Sequence, residues 1–145
     1  MSDISKYGHV EPTAESFRAL LARGLTGPVV MLNLLRFRQV ADYSASPHMA
    51  PDTPVSGRDA YATYADQVAP MLQAAGGQVV YIGNSGAHLI GPTEEAWDRV
   101  LLVRYGSLQA FLSMVADPAY LTVAAHRTAA LVDSRLLPMT DGEAP

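Results

Sequence analysis

The apolar positions of this chain fall into two rhythms. Val29–Phe37 (VVMLNLLRF) follows Gly27-Pro28 and is apolar at nearly every position. Such a run suits a central strand buried on both faces. Alternation places Val30, Leu32, Leu34 and Arg36 on one face and Met31, Asn33, Leu35 and Phe37 on the other. Residues 78–82 (QVVYI), 97–105 (WDRVLLVRY) and 132–137 (VDSRLL) read as three further strands. Elsewhere the apolar residues recur at helical spacing. Phe17, Leu20, Leu21 and Leu25 mark a short N-terminal helix over about 13–24. Tyr61, Tyr64, Ala65, Val68, Met71, Leu72 and Ala75 mark a longer one. Leu108, Phe111, Leu112 and Val115 begin a third, which restarts at Asp117-Pro118 and runs to about 131.

Polar and breaker residues punctuate these runs. Thr13 is placed to cap the first helix, with Glu15 in its first turn, and Gly24 and Gly27 end it. Ser56 with Asp59 three residues on has the form of a capping box. Pro70 should kink the helix that follows, and Gly76-Gly77 ends it. Asp117 caps and Pro118 opens the restarted helix. A bulge or bend is expected at residues 83–86. The residues before Thr13 read as a loose arm, and residues 39–55, rich in proline and without periodicity, as a mobile loop or a lid. After the first helix the order is strand, helix, strand, strand, helix, strand. That order predicts an α+β, ferredoxin-like split βαβ fold, a four-stranded antiparallel sheet with helices on one face. The other sheet face is apolar and needs a cover, for which a second copy of the chain is the simplest candidate.

At 145 residues the chain reads as one domain, 1–145, with a core over about 28–137. The net charge of −4 and the lack of a basic stripe argue against nucleic acid and anionic membranes as partners. There is no cysteine, which excludes disulfides and thiolate chemistry. The N-terminal stretch lacks the apolar core of a signal peptide, so a cytoplasmic location is expected. His9, His48 and His88 are scattered, without metal-ligand spacing, so no metal or cofactor is expected.

The segments VVMLNLLRF, SGRDAYATYADQVAPML with its Gly-Gly, WDRVLLVRYGSLQAFLSMVADPAY and HRTAALVDSRL occur in this order over about 28–137. In this combination the chain resembles the DUF1330 family of the dimeric alpha-beta barrel superfamily. Gly106 departs from it, since relatives often have proline there. The family is largely of unknown function. The resemblance implies a homodimeric barrel with a pocket between each sheet and its own helices. The superfamily includes cofactor-independent monooxygenases, isomerising enzymes and non-catalytic binders.

Several polar residues are candidates for chemistry in such a pocket. Arg104, on the strand face shared by Val100 and Leu102, would clamp a substrate carboxylate or pair with Asp98, Asp133 or Glu94. Asn33 would point amide donors at a ligand oxygen or be satisfied by backbone. His126 in the last helix suits a general base. Tyr64 would bond a ligand or act as an acid, and Tyr81 and Trp97 would line a site for a flat ligand. The expected function is a cofactor-independent enzyme, or a non-catalytic binder, for a small organic acid or phenolic compound. A purely structural or interaction role is the remaining alternative.

Overall fold

The computed structural model describes residues 8–142. The elements are α1 (Ala14–Ala22), β1 (Val29–Phe37), a 3-10 turn (Pro47–Met49), α2 (Gly57–Ala74), β2 (Gln78–Asn84), β3 (Arg99–Tyr105), α3 (Leu108–Ala116), α4 (Pro118–Ala130) and β4 (Leu131–Thr140). The strands form one sheet in the order β2-β3-β1-β4, and every neighbouring pair is antiparallel. This is the ferredoxin-like α+β arrangement with one added N-terminal helix.

Local chemistry accounts for the element ends. Thr13 and Ser16 cap each other's backbone at the start of α1. Ser56 accepts from the Asp59 amide at 3.0 Å and starts α2, which continues past Pro70. Asp117 accepts from the Ala119 amide, and Pro118 follows at the first helical position. The chain turns by 84° between α3 and α4 at this point. Two sequence expectations shift. The irregularity in β2 falls between Val79 and Tyr81 rather than at 83–86, and beyond Asn84 only Ala87 bridges, to Ala96. β4 runs through Pro138 to Thr140, because as an edge strand it tolerates a residue without an N–H.

The arm and the long loop are both tied down. The His9 amide donates to Asp133 Oδ1 at 3.1 Å, and Ser134 Oγ donates to the His9 carbonyl at 2.7 Å. Arg127 Nη1 donates to the Val10 carbonyl at 2.6 Å. Residues 8–12 are therefore stitched across α4 and β4; the earlier arm residues lie outside the described part. In the loop, the Arg38 and Asp42 amides donate to the Ala130 and Ala129 carbonyls, and Ala41 donates to Val55.

The sheet has one covered and one open face. Val29, Met31 and Leu35 of β1 are at most 1% exposed and point to the helices. Around them lie one cluster with Tyr105, Leu108, Phe111 and Met114, and another with Ala60, Tyr61, Ala130 and Leu131. Val30, Leu32 and Leu34 alternate to the other face and pair with Arg104, Leu102 and Val100. Although β1 and β3 are the central strands, these side chains stay only half-buried, because no element among the described residues covers them. Among the described residues no single helix is long and apolar enough to cross a membrane.

Candidate functional site

The covered face is not fully packed. A cleft of about 1150 Å³ lies between the sheet and the chain's own helices. Its floor is Met31 and Asn33 of β1, Leu101 and Val103 of β3, and Val79 and Ile82 of β2. α2 contributes Tyr61 and Tyr64, α3 contributes Phe111 and Met114, and α4 contributes Tyr120 and Arg127. The tied arm and α1 supply the remaining wall with Val10, Leu20 and Arg23. A mostly apolar cleft with a few convergent polar groups is the usual form of a small-molecule site.

The sequence candidates divide between this cleft and other places. Asn33 and Tyr64 line it. Asn33 Nδ2 donates to the Met31 carbonyl at 3.2 Å. The Tyr64 and Tyr120 hydroxyls are bonded at 3.0 Å. Burial, reinforced by Tyr120, pushes the Tyr64 hydroxyl far above the ordinary phenol range, so it stays protonated and serves as a neutral hydrogen-bonding group. Arg104 and Tyr81 share the open face, since both lie in register with its residues. Arg104 pairs there with Asp141, at 3.1 and 3.0 Å, instead of with Asp98, Asp133 or Glu94. Trp97 is buried outside the cleft, with its indole N–H donating to His88 Nε2 at 3.2 Å and Arg135 over its ring.

His126 is also buried, but behind the wall of the cleft. Its Nδ1 is bonded to the Tyr43 hydroxyl at 2.7 Å, and Tyr43 is the partner that lines the cleft. Desolvation lowers the His126 pKa below the ordinary histidine value of 6.5. The unfolded chain therefore binds more protons than the folded one as pH falls through 6.5, and stability must fall in that window. Thermal unfolding from pH 7.5 down to 5.5 should show a falling Tm. The fall should be shallower in His126→Gln, and equal slopes in the two proteins would refute the assignment.

Charge inside the cleft comes from residues that sequence reasoning passed over. Four arginines line it, Arg23, Arg99, Arg127 and Arg135. Arg135 is neutralised by Asp133 at 2.6 Å and Glu95 at 3.0 Å. Arg23 donates to the Pro138 carbonyl at the exposed rim. Arg99 and Arg127 form no ion pair among the described residues. The Tyr61 hydroxyl lies near both. Burial pushes it up to about 12, against the pull of the Arg127 and Arg99 charges. The signal for Arg99 was its register: it pairs with Leu35, which is fully buried on the helix side. Among the described residues no three His, Asp or Glu side chains gather at metal-binding range.

Comparison with known proteins agrees with the fold. The protein of unknown function RPA0582 from Rhodopseudomonas palustris has 38% identity to this chain, and its crystal structure superposes with a TM-score of 0.83. The match covers 94% of this chain and 99% of that one. The methylated form of RPA0582 gives the same identity and TM-score, over 94% of this chain and 97% of that one. A structure from Bacteroides fragilis, described as a dimeric protein of unknown function and ferredoxin-like fold, has 12% identity and a TM-score of 0.46 over 77% of this chain and 94% of that one. No curated protein matches the chain. The family profile of the domain of unknown function DUF1330 matches residues 52–138, from just before α2 into β4. By that match and by its likeness to RPA0582, the chain belongs to the DUF1330 family.

Proposed function

We propose that this chain is a small-molecule-binding subunit that holds its ligand between sheet and helices and pairs with a second copy through its open sheet face. The observation that carries the reading is the cleft itself, about 1150 Å³ of largely apolar space with Asn33, Tyr61 and Tyr64 directed around it. A small organic acid or a phenolic compound fits that lining, with an aromatic or aliphatic body against the apolar floor and polar atoms toward the tyrosines and Asn33. A purely structural role would leave this space filled by the chain's own side chains. The pairing is supported by the half-buried row Val30, Leu32, Leu34, Val100 and Leu102, flanked by exposed Tyr81 and Leu137. A row of apolar side chains, with the Arg104–Asp141 pair at one end, can meet its own copy about a two-fold axis.

Binding without turnover is the favoured form of this reading, because Tyr64 is held protonated and His126 sits behind Tyr43. A cofactor-independent enzyme is the second form, and the Tyr43–His126 pair favours it. Tyr43 lines the cleft and His126 is positioned to take its proton. Native mass spectrometry of gently purified protein tests the common core. A dimer that carries, or takes up, a small organic molecule is expected. A protein that binds none of a panel of organic acids, phenols and neutral apolar dyes would overturn the reading. Steady turnover of a bound compound, lost in Tyr43→Phe, would select the enzyme.

A further inference from the structure

Arg99 is a permanent cation on the covered face of the sheet. Its guanidinium carbon lies 5.3 Å from the Phe37 ring centroid, and its Nε is buried without a hydrogen-bond partner among the described residues. Arg38 Nε shares that condition, but Arg38 does not line the cleft. A guanidinium cannot shed its charge, so a shielded one with no carboxylate partner is stabilised by an anion brought to it. Arg127 reaches the same end of the cleft from α4. It spends one N–H on the Val10 carbonyl, and its charge, like that of Arg99, acts on the Tyr61 hydroxyl. The carboxylates on the lining are engaged elsewhere, Glu11 with Thr128 and Asp42 with the Ser44 amide.

From Arg99 the lining changes character along β3. Leu101 and Val103 follow on the same face, and Met31, Phe111 and Met114 close the far end. At about 3.3 Å per residue, the path from Arg99 to Tyr105 spans roughly 20 Å. The cleft therefore has a cationic end and an apolar end. Resting on the cleft reading above, we infer that its ligand is a monocarboxylic acid with an extended apolar body, its carboxylate held by Arg99 with Arg127 and its body lying toward Phe111 and Met114. A planar guanidinium suits this head group because it offers paired donors to the two carboxylate oxygens.

A matched pair of probes tests this, octanoate and octanamide, each displacing the neutral fluorophore N-phenyl-1-naphthylamine. The wild-type protein should bind the fluorophore and prefer octanoate over octanamide by at least about tenfold, the scale of a charge-assisted contact. In Arg99→Gln the preference should fall to about twofold or less while fluorophore affinity holds. Arg127→Gln should lower the preference partway, and it decides the matter if the Arg99 variant does not fold. Equal displacement by acid and amide would overturn the inference and leave the cleft reading standing. Failure of the fluorophore and both probes to bind would instead remove the cleft reading. Loss of the preference in Arg104→Gln would place the carboxylate on the other sheet face and also overturn the inference.

Discussion

Gly57→Ala is expected to cost about 3 kcal/mol of stability, the upper range for a core overpacking change. Gly57 is buried at the start of α2, where the helix meets the end of β1 and the end of α4. Its N–H donates to the Arg38 carbonyl at 3.0 Å. A methyl group there would run into that same carbonyl oxygen, and would stand 2.5 Å from the Ala130 carbonyl oxygen and 2.6 Å from the Arg38 nitrogen. These are backbone atoms, and the Arg38 amide is itself bonded to the Ala130 carbonyl, so none of them can rotate away. In an open helix the same change would gain up to about 1 kcal/mol from propensity. The overlap outweighs that gain. Urea unfolding at fixed protein concentration measures the difference, with Gly106→Ala as the comparison, since nothing lies within 4 Å of a methyl group there. A Gly57→Ala loss below about 0.5 kcal/mol, the range of ordinary surface changes, would show that the three-way junction gives way.

That junction marks where sequence reading stops. The element order was legible because each element carries a local sign. β1 is a nearly continuous apolar run behind Gly27-Pro28, α2 opens on Ser56 with Asp59 in its first turn, and the α3–α4 break is written in Asp117-Pro118. What depends on neighbours was not legible. Nothing local to Pro138 says that β4 lies at a sheet edge, which is what lets the strand continue to Thr140. Residues 8–12 have no periodicity, yet they are ordered by side chains of α4 and β4 more than a hundred residues away in sequence.

The candidate site fails to read from sequence for a related reason. β3 is apolar on both faces, so alternation separates Arg99 from Arg104 without saying which of them faces the helices. Only the β1 register does so. Arg99 stands opposite Leu35 and Arg104 opposite Val30, and Leu35 is the one packed under the helices. Arg104, the more conspicuous cation at the end of the strand, therefore lies on the open face with Asp141. Asn33 was legible as a polar residue in a core strand, and it shares the cleft face with Met31. His126 was legible as an unusual helical histidine, but its burial against a loop tyrosine 83 residues away was not.

If the open face pairs as proposed, Leu102→Glu is expected to convert the dimer to a folded monomer. Leu102 sits at the centre of the open face, in register with Leu32 of β1 on one side and Tyr81 of β2 on the other. On the proposed two-fold pairing, the new carboxylate would be taken out of water among apolar side chains, a loss of several kcal/mol, and Arg104, the cation two residues along the same face, is already paired with Asp141. Both copies carry the change, so the dimer dissociation constant should rise by at least about a thousandfold. Light scattering coupled to gel filtration, across a range of concentrations, reads this directly. Leu102 points away from the cleft, so the monomer should keep its sheet by circular dichroism and still bind the neutral fluorophore. A variant that stays dimeric would move the pairing surface elsewhere on the chain. A wild-type protein that is monomeric at every concentration would leave the apolar row Val30, Leu32, Leu34, Val100 and Leu102 without the cover that the fold calls for, and the pairing proposal would fall while the cleft kept its own evidence.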